Sequence, residues 1–86
     1  MNTLESLPNI GKILAEKLEQ AGIHTPEELR QTGAESAFIK LKTIDETACT
    51  NMLYALEGAI QDIRWHNLSG NRKLELLDFF HSCNAT

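Results

Sequence analysis

The chain has 86 residues, a length that fits one small domain with a single hydrophobic core. Eight lysines and arginines against twelve aspartates and glutamates give a net charge of −4, which argues against a nucleic-acid binder with a broad basic face. No apolar run approaches the ~20 residues that a membrane span needs. The segment Met1–Glu5 lacks the basic-then-apolar order of a signal peptide. We therefore expect a cytoplasmic protein that makes no membrane contact.

The cysteines and histidines show no pattern typical of a metal site or a disulfide framework. Cys49 and Cys83 are the only cysteines, and we expect both to be reduced thiols. His24, His66 and His81 are scattered, without C-x-x-C or H-x-x-x-H spacing. The signatures of a nucleophile elbow, a phosphate-cradling glycine loop and a metalloprotease helix are also missing. We predict a non-catalytic protein that uses no metal and no cofactor.

The segment Leu7-Pro8-Asn9-Ile10-Gly11 predicts the turn of a helix-hairpin-helix element, because an amphipathic segment follows at 12–21. Such a turn directs backbone N–H groups and the positive end of a helix dipole toward one point, where a phosphate can be held. The alternative is that the turn only joins two helices of a bundle. The candidate residues for phosphate or nucleic-acid binding are Asn9, Ile10, Gly11 and Lys12.

Helical signals continue through the rest of the chain, without an alternating strand pattern of useful length. Gly22 fits the left-handed position after the first long helix, with Ile23 packing back on Leu18. Three T-x-x-E sequences predict capping boxes, at Thr25/Glu28, Thr32/Glu35 and Thr43/Glu46. The helices that we expect next span about 26–31, 34–41 and 46–62, and a last helix capped by Ser69 runs to about His81.

The segment 46–62 is predicted to be the central and most buried helix. Gly58 within it predicts the close approach of another helix, because glycine otherwise costs a helix about 1 kcal/mol relative to alanine. The apolar stripe of this helix consists of Cys49, Met52, Leu53, Leu56, Ile60 and Ile63. The apolar face of the last helix consists of Leu74, Leu76, Leu77, Phe79 and Phe80. The pattern predicts a single all-α domain of five to six helices over residues 1–86.

The linker 64–68 contains the only tryptophan, Trp65. We expect its ring to fill part of the core, with the indole N–H bonded to a backbone carbonyl; the alternative is an exposed anchor for a partner. The candidate partner-binding residues are Arg64, Trp65 and His66. Tyr54 and Glu57 lie about one turn apart off the apolar stripe, without the third group that an acid–base pair would need.

With these elements placed, the chain resembles the C-terminal domain of the TfoX/Sxy competence-regulator family. The resemblance covers residues 4–81, and its more specific segments are Leu53-Tyr-Ala-Leu-Glu-Gly58 and Arg64-Trp-His66. It implies an all-helical domain linked to transcriptional control of natural transformation. Longer members carry a separate N-terminal domain, which we expect this chain to lack. Asn9 departs from the commoner hairpin turn, which has glycine there, and its side chain would crowd a phosphate.

These observations predict a non-catalytic interaction module, linked to transcriptional or competence regulation through a protein partner. The alternative is weak, sequence-independent binding of the DNA backbone through the hairpin turn. A basic patch around Lys12 and Lys17 would favour DNA, and an exposed apolar groove would favour a protein.

Overall fold

Five α-helices and two short 3₁₀ turns form the structure, a computed structural model that describes residues 3–84; no strand occurs in that range. The predicted all-α fold is therefore confirmed. None of the helices between residues 3 and 84 is long and apolar enough to cross a membrane. The helices are α1 (Lys12–Gln20), α2 (Pro26–Thr32), α3 (Ala34–Ile44), α4 (Thr50–Gln61) and α5 (Gly70–Asn84), and the 3₁₀ turns are Leu4–Ser6 and Trp65–Asn67.

Helix α4 lies at the centre of the domain and is the most buried helix, as predicted. It packs between α3 and α5, with Leu53 and Leu56 completely buried. The apolar stripe was predicted to begin too early in the chain. Its first predicted member, Cys49, is the exposed N-cap, and the helix begins at Thr50 instead of at 46. Core packing therefore starts one turn into the helix.

Helix α1 ends as the sequence predicts. Gly22 has φ +93, a conformation that glycine adopts without steric cost. Its N–H donates to Glu19 O at 3.0 Å, and the N–H of Ile23 donates to Leu18 O at 2.9 Å, which is the Schellman pattern. Ile23 and Leu18 are both buried in the core. This turn sends the chain back across the domain into α2.

Only the first threonine of the three predicted capping boxes caps a helix in the described structure. Thr25 caps α2, where its hydroxyl accepts the N–H of Glu28 at 3.1 Å. Thr32 is the last residue of α2 and donates to Glu28 O, while Thr43 lies inside α3 and donates to Lys40 O. The prediction was wrong at both threonines because a threonine hydroxyl can bond back to the preceding turn instead of capping the next helix. Gly33 alone, at φ +84, separates α2 from α3.

The loop between α3 and α4 is fixed by Asp45. One carboxylate oxygen accepts a hydrogen bond from Lys17 Nζ of α1, and the other accepts the N–H of Thr47 at 3.0 Å. The ammonium of Lys17 and the hydrogen bonds from Thr47 lower the pKa of Asp45 to about 2. Asp45 thus connects the N-terminal hairpin to the centre of the chain.

An ion cluster around Arg72 joins three helices. Its guanidinium binds Glu57 of α4 at 2.8 Å and Glu35 of α3 at 3.0 and 3.1 Å, and it also reaches Glu75 on its own helix. Hydrogen bonding to Arg72 lowers the pKa of Glu35, and the carboxylates raise the pKa of Arg72. Glu57 is only 7% exposed, so this residue, which the sequence placed off the apolar stripe, has a structural role.

Helix α5 closes the core. Ser69 caps it by accepting the N–H of Arg72 at 3.1 Å, as predicted, and the helix continues to Asn84 instead of ending near His81. Its apolar face is narrower than predicted, because Leu76 is completely buried but Leu74 is 61% exposed. The Phe80 ring lies 5.8 Å from that of the buried Phe38.

Candidate interaction surface

Asn9 connects the hairpin turn to the linker that follows α4. Its backbone is left-handed, with φ +71. Its side chain donates from Nδ2 to Ile63 O at 2.9 Å, and its Oδ1 accepts the N–H of Trp65 at 3.2 Å. The side chain is therefore turned into the fold and bonded at both ends, so it does not crowd the start of α1 as the sequence suggested.

Gly58 makes this connection possible. A Cβ atom at this position would lie 2.5 Å from Asn9 Nδ2, 2.8 Å from Ile63 O and 3.1 Å from Trp65 N. The close approach that the sequence predicted at Gly58 is real, but the approaching groups belong to the hairpin turn and the linker and not to another helix. Glycine is required here because only hydrogen fits between α4 and the side chain of Asn9.

The start of α1 leaves part of the predicted phosphate site open. Ile10 is buried and its N–H is bonded to Leu7 O at 3.4 Å. Gly11 is the N-cap in extended backbone, no side chain caps the helix, and nothing lies within 4 Å of a Cβ placed there. Lys12 is exposed, and no ion pair joins it to Glu16 in the part of the chain that the structure describes. The accessible part of the turn thus consists of Gly11 and Lys12.

Next to Lys12, Ile13 is 70% exposed. Ile13 is not among the predicted site residues, because it falls outside the apolar stripe of α1. An isoleucine on the polar face of an amphipathic helix is the signal that could have revealed it. The predicted basic patch is smaller than the sequence allows, since Lys17 is neutralised by Asp45. The start of α1 therefore presents one lysine beside one large apolar side chain.

The Trp65 ring lies at the edge of the core and is neither completely buried nor completely exposed. It stacks on Tyr54 at a centroid distance of 5.9 Å and on His66 at 4.0 Å. Lys73 Nζ lies 5.9 Å from the ring centre and donates to His66 O at 3.4 Å. The partly buried Trp65 ring is thus held between Tyr54 and His66, with the ammonium group of Lys73 near it.

Arg64 completes this segment. It is exposed, and among residues 3–84 no ion pair joins it to Asp62, the left-handed residue that ends α4. The two predicted sites meet at the hydrogen bond from Trp65 N–H to Asn9 Oδ1, and α1 starts three residues after Asn9. We call the residues that surround this junction the hairpin–linker face: Lys12, Ile13, Arg64, Trp65 and His66.

An open groove of about 350 Å³ lies between α3 and the C-terminal end of α5. It is lined by Ile39, Lys42, Thr43 and Cys83, and Ile39 is 48% exposed. It provides a second exposed apolar surface, separate in sequence from the hairpin–linker face.

Tyr54 and Glu57, the pair noted in the sequence, have different partners in the fold. Tyr54 stacks on Trp65, whereas Glu57 binds Arg72 and accepts a hydrogen bond from Gln61, so the pair noted in the sequence is not brought to a common cleft. Within residues 3–84, no group of three or more histidine, cysteine, aspartate or glutamate side chains could hold a metal ion.

Comparison with known proteins relates this geometry to one family. The sequence pattern of the TfoX C-terminal domain matches residues 1–80. The crystal structure of an uncharacterized protein from Listeria monocytogenes, in a triclinic form, superposes with a TM-score of 0.94 at 48% identity, covering 95% of this chain and 93% of that one. A protein of unknown function from Listeria monocytogenes, in a tetragonal form, gives 0.91 at 49% identity, covering 93% and 98%. No curated protein sequence matches.

Proposed function

Since this chain belongs to the TfoX C-terminal domain family, we propose that it is a non-catalytic interaction module that binds a protein partner through the hairpin–linker face. The family suggests a role in the regulation of competence and DNA uptake. We place the module in the cytoplasm, within the transcriptional part of that regulation. The domain would contribute recognition, and the response would be produced by the protein that it binds.

The observation that carries this proposal is the bridge made by Asn9. Its two hydrogen bonds hold the start of α1 against the Trp65 segment, although the residues are 54 and 56 positions apart in the chain. Ile13, which is 70% exposed, follows this junction by four residues in the chain, and the partly buried Trp65 is bonded to it. Tryptophan and arginine, both present in the 64–66 segment, are enriched among the residues that carry most of the energy of a protein interface.

Weak binding of a DNA backbone is the second candidate function. The uncapped N-terminus of α1 favours it, because the open backbone at Gly11 lies where the helix dipole attracts an anion. Lys12 is exposed beside it. The loss of Lys17 to Asp45 weakens this candidate, since the turn then has one lysine to offer a phosphate.

The test is affinity capture from cell lysate with the complete chain as bait, performed with and without nuclease. We expect a captured protein that survives nuclease treatment and is lost with Ile13→Asp. The matched control is Ile39→Asp, which places the same charge on an exposed isoleucine of α3. Capture that is abolished by nuclease would favour DNA. Capture that depends on Ile39 and not on Ile13 would move the binding surface to the groove between α3 and α5.

A further inference from the structure

We infer that the hairpin–linker face binds an acidic segment of its protein partner, in which carboxylates flank a large apolar residue. This inference rests on the proposed function and specifies the chemistry of the partner. It follows from the distribution of charge, from the availability of the cations and from the apolar groups between them.

The charge of this face is opposite in sign to the net charge of the molecule. Lys12, Arg64 and Lys73 are the cations around the junction, and Asp62 and Glu16, which lies one turn beyond Lys12, are the carboxylates. The local excess is one positive charge in a chain whose net charge is −4. A partner segment that carries carboxylates is therefore attracted to this face and repelled by the remainder of the surface.

Two cations at the face, Lys12 and Arg64, are available to a ligand. Lys17 is bound to Asp45, and Arg72 is bound to three glutamates. Lys12 and Arg64 are exposed and have no ion-pair partner within residues 3–84. An arginine guanidinium can bind one carboxylate through two parallel hydrogen bonds, which gives Arg64 the larger expected contribution.

Apolar groups lie beside these cations. Ile13 adjoins Lys12 in sequence, and Trp65 adjoins Arg64. A short peptide with one large apolar side chain between carboxylates can bury that side chain against Ile13 or the edge of Trp65 while its carboxylates reach Lys12 and Arg64. A bound segment of this kind combines an apolar anchor with a charged rim, the usual composition of a protein interface.

The same surroundings disfavour a nucleic acid. A shallow groove beside α1 is lined by Glu5, Glu16 and Glu19, and Glu16 lies one turn beyond Lys12. A phosphate backbone that continues past the turn in that direction meets three carboxylates that have no ion-pair partner in the described structure. A short acidic peptide avoids this groove. Moreover, a phosphate backbone offers no counterpart to the exposed side chain of Ile13.

The test measures binding of a fluorescent peptide in which aspartates and glutamates alternate with leucines, with the complete chain, by anisotropy. The emission of Trp65, the only tryptophan, provides a second signal from the face itself. The comparison peptide has asparagine and glutamine in place of the acids, and a DNA oligonucleotide provides the other polyanion. We expect the acidic peptide to bind about tenfold more tightly than the neutral one, to shift the Trp65 emission and to weaken as salt rises.

Charge reversal identifies the groups responsible. Arg64→Glu is expected to weaken binding of the acidic peptide about tenfold, and Lys12→Glu by a smaller factor. Arg30→Glu changes the net charge equally at an exposed arginine of α2 and is expected to leave the affinity within about twofold of the original. Equal weakening by all three variants would show that only net charge matters, and it would overturn the inference.

The outcomes separate this inference from the proposed function. If the neutral peptide binds as tightly as the acidic one, or the oligonucleotide binds more tightly than both, the acidic-segment inference is wrong. Capture of a protein that depends on Ile13 would still support the interaction module in that case. If Ile13→Asp has no effect on capture while Arg64→Glu abolishes peptide binding, the face binds acidic segments but is not the surface through which the module acts.

Discussion

Asn9 has a strained backbone and makes two long-range hydrogen bonds. Two different substitutions separate the contributions of these features to the stability of the fold. Asn9→Gly removes both hydrogen bonds but relieves the strain at φ +71, whereas Asn9→Ala removes the bonds and keeps the strain. We expect Asn9→Gly to cost about 1–3 kcal/mol, since Ile63 O and Trp65 N lose their partner. Asn9→Ala should cost about 1 kcal/mol more. Urea unfolding monitored by circular dichroism measures both values.

A glycine variant as stable as the original protein would show that the side chain of Asn9 contributes nothing to the fold. An alanine variant no less stable than the glycine variant would show that the left-handed backbone is not retained.

Gly58 gives the complementary prediction at the same contact. Replacing a glycine by alanine inside an ordinary helix stabilises the helix by about 1 kcal/mol. Here we expect Gly58→Ala to destabilise the protein by about 1–3 kcal/mol, because the methyl group would overlap Asn9 Nδ2 and Ile63 O. Thermal unfolding measures the change. The matched control is Gly70→Ala, where nothing lies within 4 Å of the added Cβ, and its effect should stay within about 1 kcal/mol.

The cost of Gly58→Ala should be smaller in the presence of Asn9→Gly, since one of the two overlaps is then absent. Full additivity of the two substitutions would mean that the side chains do not meet in solution.

At the scale of the elements, helix ends were harder to predict than helix faces. The predictions were correct at Thr25, Gly22 and Ser69. Each of these residues has only one structural role that fits its position, as a helix cap or as the left-handed residue after a helix. Thr32 and Thr43 were not, since the same T-x-x-E spacing fits a threonine in the last turn of one helix and a threonine that caps the next. The helix α4 begins at Thr50 instead of 46, and the Asp45 carboxylate before it binds Lys17 and the Thr47 N–H.

Asp45 also makes the connection between α1 and the α3–α4 loop dependent on pH. Its folded-state pKa is about 2, whereas an unperturbed aspartate titrates near 3.9. A lowered pKa means that the ionised form stabilises the fold: the contribution is complete above about pH 4 and is lost as the pH falls toward 2. The Asp45→Asn variant should therefore differ most from the original protein above pH 4, and the two should converge near pH 2.

Unfolding by urea at a series of pH values checks this expectation. Asp78→Asn, at an exposed aspartate of α5 without an ion pair in the described structure, is the control and should leave the shape of the profile unchanged. A difference between Asp45→Asn and the original protein that persists unchanged at pH 2 would show that Asp45 acts through packing and not through its charge.

At the scale of the whole molecule, the sequence predicted the fold, but it did not predict that the hairpin turn and the linker are adjacent. Periodicity and capping are local properties, so five helices and a buried α4 could be predicted. The junction depends on hydrogen bonds from Asn9 across more than fifty residues, and no spacing rule reports such a contact. The burial of Glu57 was missed for the same reason, because its partner Arg72 lies on another helix.

The whole-molecule charge leads to the last prediction, that this domain alone is not a high-affinity DNA binder. The net charge is −4, and Lys17 and Arg72 are already bound to carboxylates. Three cations remain around the hairpin–linker face, so the slope of log affinity against log salt should not exceed about 3 in magnitude. Anisotropy titrations at about 150 mM salt should show no binding tighter than ~10⁻⁶ M.

Residual anion binding at low salt should occur at the start of α1, where backbone N–H groups and the helix dipole coincide. Gly11→Asp places a carboxylate against those N–H groups and should abolish the binding, whereas Lys12→Ala should only weaken it. Amide chemical-shift mapping with phosphate or an oligonucleotide locates the site. A nanomolar, salt-resistant complex would contradict the charge argument. Shifts confined to residues 64–66, with residues 9–12 unchanged, would remove the hairpin turn from the binding surface and leave the linker as its functional part.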